Sequence, residues 1–366
     1  MGNIIDYVRE YGQYDFSEKP VCKEDILTLA QLVYIKFDGL IPSIARREVG
    51  MTLAQLNARI TPDVVFAEIG FGRNTLELWR EMAGSRRFGG MRCDFYRNRL
   101  DEEQRIQFCA ITFFPEHAMP VVAFRGTDET IVGWQEDFNL AFRDPIPAQK
   151  ESAVYLNQVS CQLEGDFVVC GHSKGGNLAI YASMLAKEST QAKIVAIYSF
   201  DGPGFHPDLL TGDSYERIKG RIHRILPASS LVGMLLQNYE SYEVVKTNTF
   251  GVLQHMIFSW QIEEGELVRL QYIENKQKRM NEVLNRFVYS MTEEELRLFI
   301  DTLFGVIRKT GAKTVMEFAG NWKQNLKVCL KQIRQMDPAT GEKMRQMLRI
   351  LFEIAAEVNF HPKNGV

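Results

Sequence analysis

No stretch of this 366-residue chain approaches the roughly twenty consecutive apolar residues that a bilayer-spanning helix needs, so none is expected. Cysteine is scarce and scattered. Cys22, Cys93, Cys109, Cys161, Cys170 and Cys329 form no C-x-x-C pair and sit mostly in apolar surroundings. That pattern predicts buried free thiols rather than a disulfide frame or a zinc site. Basic excess is missing as well: 43 Lys and Arg against 46 Asp and Glu leave a net charge of -3, which gives nucleic acid no broad electrostatic footing. The opening residues Met1-Gly-Asn-Ile-Ile-Asp6 carry neither a basic nor an apolar leader region, so no secretory signal is expected and the expected location is cytoplasmic. Fixed repeats and low-complexity tracts are absent too. What remains is an ordinary globular composition, long enough for one large α/β domain with an addition.

The informative stretch runs from Asp166 to Ala179. Phe167 to Cys170 is a short apolar run that reads as a buried strand of a parallel sheet. It ends in Gly171-His172-Ser173-Lys174-Gly175, which fits G-x-S-x-G, and Leu178, Ala179, Ala182 and Leu185 then begin a helical pattern. Strand, glycine-flanked serine and helix together predict a nucleophile elbow, a turn too tight for side chains at Gly171 and Gly175. Ser173 is the expected nucleophile, in strained backbone above a helix N-terminus. A Gly-rich phosphate-binding turn is the competing reading of the bare motif.

Other runs supply the rest of a sheet. Arg105–Phe113 and Met119–Phe124 read as an antiparallel hairpin, Lys193–Phe200 and Arg221–Leu226 as further buried strands, and Tyr242–Lys246 as the last. Strand–helix–strand alternation around the elbow predicts a mostly parallel, doubly wound sheet. Phe124-Arg125-Gly126-Thr127 stands at a strand's carboxyl end, where α/β-hydrolases keep the second oxyanion donor; the backbone N–H groups of Thr127 and Lys174 are the expected pair.

Serine needs a base and a carboxylate to orient that base, and this fold places them in the chain order Ser, Asp, His. Of the six histidines, His117 and His361 fall outside that order, and His206 follows the Asp201 turn too closely. His223 lies within a strand pattern, and His172 is in the elbow itself, pointing elsewhere from the base side of Ser173. His255, in a loop after the Tyr242–Lys246 run, is the expected base. For the acid, Asp201 ends the strand after the nucleophile, while the end of the following strand offers Ser229 and Ser230 and no carboxylate. Asp208 and Asp213, in turn-like surroundings, remain alternatives. The expected chemistry is attack of Ser173 on an acyl carbonyl, an acyl-enzyme, then hydrolysis, with no metal and no organic cofactor.

Lys23–Phe37, Met51–Arg59 and Thr75–Met82 read as helices, and either Arg46–Asn98 or the C-terminal helices are candidates for a lid. Beyond about Glu264 the pattern turns to helix without strands. Thr292-x-x-Glu295 is a capping box before an apolar-periodic helix that stops at Gly311; further helices are expected over about Thr314–Met336 and Met344–Val358. The expected organisation is a hydrolase domain over 1–265, with a helical insertion at about 40–100, and a helical C-terminal region over 266–366. The amphipathic stripes of that region suit core packing, with peripheral membrane contact left open.

With Phe124-Arg-Gly-Thr127, Trp134, Asp137 and Gly-His-Ser-Lys-Gly-Gly176 in hand, the chain resembles the class 3 lipase superfamily, a group of α/β-hydrolases. It resembles more closely a bacterial family of lipase-like proteins of unknown function. The features similar to that narrower family are Ile5-Asp6-Tyr7, Ser199-Phe-Asp-Gly-Pro-Gly-Phe205, Ser230-Leu-Val-Gly-Met-Leu235, and Gln254-His255 with Trp260. The resemblance covers about residues 1 to 265. It implies an α/β-hydrolase fold and hydrolysis of a small-molecule or lipid acyl ester, with Ser173 as nucleophile, His255 as base, and Thr127 and Lys174 as oxyanion donors. One departure stands out: fungal-type members keep their acid in the segment that here reads Ser229-Ser230-Leu231-Val232, and Asp201 instead matches the arrangement of pancreatic-type lipases. A catalytically idle hydrolase fold serving as a binding scaffold, and a hydrolase acting on a thioester or peptide, are the alternative functions.

Overall fold

The computed structural model describes residues 2–46, 48–59, 72–101, 106–127, 135, 140, 145–238, 240–273, 275–312 and 315–360. These fall into two compact units, one of Met1–Gly126 with Pro147–Ile273 and the other of Thr127–Ile146 with Glu274–Val366.

The first unit is built on an eight-stranded sheet. Its strands are β1 (Arg92–Asp101), β2 (Ile106–Phe114), β3 (Val121–Phe124), β4 (Phe167–His172), β5 (Ile194–Phe200), β6 (Ile222–Pro227) and β7 (Tyr242–Val245), lying side by side in chain order, with β10 (Arg269–Leu270) beyond β7. β3 to β7 run parallel, whereas β1, β2 and β10 pair antiparallel at the edges. β8 (Ile262–Glu263) and β9 (Glu266–Leu267) form a separate two-stranded ribbon.

β4 is buried at all six positions, as its continuous apolar run requires of a strand covered on both faces. Alternation along β2 sorts the two layers. Cys109, Ile111 and Phe113 face the core shared with α1 (Ile4–Tyr11) and α2 (Lys23–Leu32). Phe108 and Thr112 face the other way, onto Tyr155 of α5 (Pro147–Ser160), whose ring centroid lies 5.9 Å from that of Phe108. The Tyr155 hydroxyl lies 3.2 Å from that of Thr112 and donates to the Phe95 carbonyl at 2.8 Å. α3 (Leu53–Arg59) and α4 (Gly72–Gly84) pack against each other, and α4 also packs on α1 and α2. The sheet is thus the mostly parallel, helix-covered arrangement expected from the strand–helix alternation, and it fits the α/β-hydrolase fold that the resemblance implies.

A buried ion pair fixes the N-terminal layer to this core. Arg87 donates to both carboxylate oxygens of Asp25, at 2.7 and 2.6 Å, with both side chains nearly inaccessible. The same guanidinium donates to the carbonyls of Tyr14, Asp15, Lys19 and Pro20, and Tyr7 donates its hydroxyl to Asp25 at 2.8 Å.

Several local readings need correction. Residues 92–101, placed above in a helical insertion, form edge strand β1, whose charged side chains are paired: Arg92 with the buried Asp94, and Arg97 and Arg99 with Glu151 of α5. The apolar run Leu231–Leu236, whose composition suits the start of a helix, forms bends and turns instead, because the Asp201 carboxylate and Arg224 draw its backbone groups into hydrogen bonds. The run at 242–245 is not the last strand, since β8 to β10 follow. Cys161 is exposed rather than buried, whereas Cys93, Cys109 and Cys170 are buried thiols.

The second unit includes α9 (Asn275–Ser290), α10 (Glu293–Arg308), α11 (Val315–Gly320), α12 (Trp322–Arg334) and α13 (Pro338–Phe360). Thr292 and Glu295 cap α10 reciprocally, as the motif predicts. Val283 and Phe287 of α9 bury against Met344, Met347, Ile354 and Val358 of α13. The single helix expected over 314–336 is two helices, divided at Asn321. Among the described residues, no helix is long and apolar enough to cross a membrane.

Candidate active site

β4 delivers the chain to the elbow and helix α6 (Lys174–Leu185) carries it away. Between them Ser173 adopts φ 57° and ψ -131°, a conformation that L-residues rarely hold unless the surroundings impose it. Here two backbone bonds impose it: the Ser173 N–H donates to the Phe200 carbonyl of β5 at 2.9 Å, and the Ser173 carbonyl accepts from the Gly176 N–H at 2.9 Å. The flanking glycines explain themselves sterically. A Cβ at Gly171 would lie 2.2 Å from the Gly175 carbonyl, and one at Gly175 would lie 2.2 Å from the Phe124 carbonyl oxygen. The same packing brings the Phe124–Gly126 loop to the elbow, since a Cβ at Gly126 would stand 3.2 Å from Ser173 Cβ. Thr127 follows directly, buried, as the first residue of the second unit. Lys174 opens α6, and its ammonium donates to Gln107 at 3.2 Å.

Asp201 directly follows β5, also at positive φ (50°), and its N–H donates to the Ile225 carbonyl of β6 at 2.9 Å. Its carboxylate is fully buried and lies 2.6 Å from His255 Nδ1. A carboxylate only accepts, so this contact selects the neutral tautomer with the proton on Nδ1, in which Nε2 carries the ring's lone pair. His255 closes a 3-10 turn, Gly251–His255, and is itself buried. The acid and base that the chain order predicts, 54 positions apart, therefore meet. Asp208 and Asp213 are exposed on the surface. His223 is exposed and stacks on Tyr198, at 4.8 Å between centroids, and His117 is exposed as well. His361, Trp134 and Asp137 lie outside the described residues.

His172 does more than the sequence indicated. Its ring centroid is 4.6 Å from that of His255, and its Nε2 lies 2.8 Å from the His255 carbonyl oxygen. The carbonyl accepts, so Nε2 carries the proton and Nδ1 takes the Tyr34 hydroxyl, 3.2 Å away. Burial, and then the neighbouring His255 ring, hold the His172 imidazole well below the ordinary histidine range, so it is neutral at neutral pH.

Three further groups face Asp201 and its loop without a local sequence signature. Ser230 donates its hydroxyl to Asp201 Oδ1 at 2.5 Å, and the Gly233 N–H donates to the same oxygen at 3.1 Å. The buried Arg224 guanidinium donates to the Gly233 carbonyl. Gln254, beside His255, accepts from the Ser229 N–H at 2.8 Å and donates to the Thr249 carbonyl at 3.1 Å. Among the described residues, no group of three or more His, Cys, Asp or Glu side chains could hold a metal ion.

A family model described as Mbeg1-like matches residues 82–305. Among solved structures, the native propeptide complex of Rhizomucor miehei lipase is similar at 16% identity and a TM-score of 0.33, over 43% of this chain. The chain spans 57% of the length of that lipase chain. The M37 lipase is similar at 13% identity and a TM-score of 0.37, over 58% of this chain and 70% of its own. No curated protein matches the chain.

Proposed function

This chain belongs to the Mbeg1-like family, a lipase-like family, and from the chemistry of its elbow we propose that it is a serine hydrolase acting on carboxylic esters. The observation that carries this reading is the buried 2.6 Å contact of His255 Nδ1 with Asp201, which follows β5, the neighbour of the elbow strand, while the His255 ring lies 4.6 Å from that of His172 in the elbow. Ser173 is the nucleophile in this proposal. The lone pair of His255 Nε2 takes its proton as Oγ adds to the acyl carbonyl, and Asp201 supports the imidazolium that forms. Collapse of the tetrahedral species breaks the bond to the leaving alkoxide, which takes the proton back from His255 and departs as the alcohol. Water, deprotonated by the same ring, then adds to the acyl-Ser173 ester; the bond to Oγ breaks, Ser173 takes the proton back from His255, and the acid is released.

The N–H of Lys174, at the first position of α6, and that of Thr127 are the proposed oxyanion donors, each worth about 3 kcal/mol to the transition state. An N-terminal helix end favours the negative charge that develops there. The substrate class in this proposal is a small-molecule or lipid acyl ester.

The test is labelling of the native protein by a fluorophosphonate probe, alongside hydrolysis of short p-nitrophenyl esters. Labelling at Ser173 and ester turnover, both lost in Ser173→Ala, are the expected results. A folded protein that neither labels nor turns over any ester would overturn the reading in favour of a binding scaffold. Turnover of a thioester or peptide panel alone would move the activity to that acyl group.

A further inference from the structure

We infer that Ser230 is a positioning residue for catalysis, fixing the Asp201 carboxylate so that one oxygen is committed to His255. The inference rests on the triad reading above. Asp201 has two carboxylate oxygens, each with two lone-pair directions. Oδ1 is engaged by the Ser230 hydroxyl at 2.5 Å and the Gly233 N–H at 3.1 Å, while Oδ2 meets His255 Nδ1 at 2.6 Å. Asp201 is fully buried, so a carboxylate swung off that position would forfeit both Oδ1 donors at the cost of leaving a buried charge less well solvated.

Ser230 also belongs to a closed circuit that joins three loops. From Asp201 it runs through Oδ2 to His255, along the chain to Gln254, across to the Ser229 N–H, along the chain to Ser230, and back to Oδ1. Arg224, itself buried, holds the Gly233 carbonyl and so fixes the turn that supplies the second donor. The acid loop and the base loop therefore cannot shift separately: a movement of either breaks a hydrogen bond in the circuit. A serine that merely filled space beside the carboxylate would need neither the hydroxyl direction nor the Gln254 link. Catalysis is sensitive to displacements of this size, because the carboxylate, imidazole and serine must be held in one geometry.

The experiment compares Ser230→Ala, Ser230→Cys and Ser230→Thr in the full chain, using p-nitrophenyl acetate turnover and proton NMR of the His255 Nδ1–H. That resonance is identified by its loss in His255→Ala. Ser230→Ala is expected to lower kcat about tenfold or more with KM within about twofold, and to shift or broaden the Nδ1–H resonance. Ser230→Thr, which keeps the hydroxyl, is expected to stay within about threefold of native. Ser230→Cys keeps the volume but donates weakly, so it is expected to fall with alanine, and it carries the test if the alanine variant does not fold. An unchanged kcat with an unmoved resonance in the alanine or cysteine variant would overturn the inference, as would a loss expressed only in KM. Should the native protein prove inactive, the ester-hydrolase reading fails alone; the resonance then decides the positioning role.

Discussion

His172 donates its Nε2–H to the main-chain carbonyl of His255 at 2.8 Å, and the two imidazoles face each other at 4.6 Å between centroids. The residue before the elbow serine thus fixes the backbone of the residue proposed as its base. Tyr34, in the turn that follows α2, completes the chain by donating to His172 Nδ1 at 3.2 Å, so the N-terminal layer buttresses the site.

This link sets a pH dependence of stability. Folded His172 resists protonation, because burial and the adjacent ring hold it well below the ordinary value, whereas the unfolded chain takes up that proton as pH falls below about 6.5. The unfolded state then binds more protons, so stability falls with pH by up to about 1.4 kcal/mol per unit. The loss begins near the unfolded value and levels off once the folded His172 is itself protonated. Urea unfolding at pH 7.5, 6.0 and 5.0 should show this slope, and His172→Gln should flatten it.

Asp201→Asn should leave the fold intact and cut kcat by on the order of 10⁴-fold. An amide presented to His255 Nδ1 no longer holds the base in its working tautomer or supports its charged form. Steady-state ester hydrolysis, with circular dichroism to confirm folding, checks this.

Arg87→Met should destabilise the first unit by about 3–5 kcal/mol, since it leaves the Asp25 carboxylate charged, buried and without its cation. Four backbone carbonyls of the 14–20 segment lose their donor at the same time. Chemical denaturation of the variant measures the loss. Arg87→Lys should recover part of it, because an ammonium cannot reproduce the two-pronged contact with Asp25.

Gly175→Ala should abolish activity at a cost in stability. The new methyl would stand 2.2 Å from the Phe124 carbonyl oxygen and 3.0 Å from the backbone of Arg125 and Gly126, so the elbow and the strand-end loop must part. Fluorophosphonate labelling and thermal unfolding should both register the change.

Thr292→Ala should cost the second unit about 1 kcal/mol, because the α10 N-terminus loses the hydroxyl that accepts from Glu295 N–H. Helical content lost on heating, followed by circular dichroism, reads this out.

The residues between Phe167 and Ala179 suffice to specify strand, turn and helix, because an apolar run, two clash-forced glycines and a 3.6-residue pattern all act over neighbouring positions. The same locality makes the Thr292–Glu295 cap readable, and strand–helix alternation makes the parallel sheet readable. It also explains the failures. Strand β1 carries too much charge to stand out in composition, and only pairing with β2 makes it a strand. The turns after Ser230 were concealed behind an apolar run whose backbone is claimed by Asp201 and Arg224. That Asp201 meets His255, that Ser230 supports the carboxylate and that His172 holds the base loop was decided by the tertiary structure. Each joins the carboxyl end of one strand, or the loop after it, to the loop after another strand of the same sheet, and the order and register of strands, set by the burial of the whole core, carry them together across dozens of intervening residues.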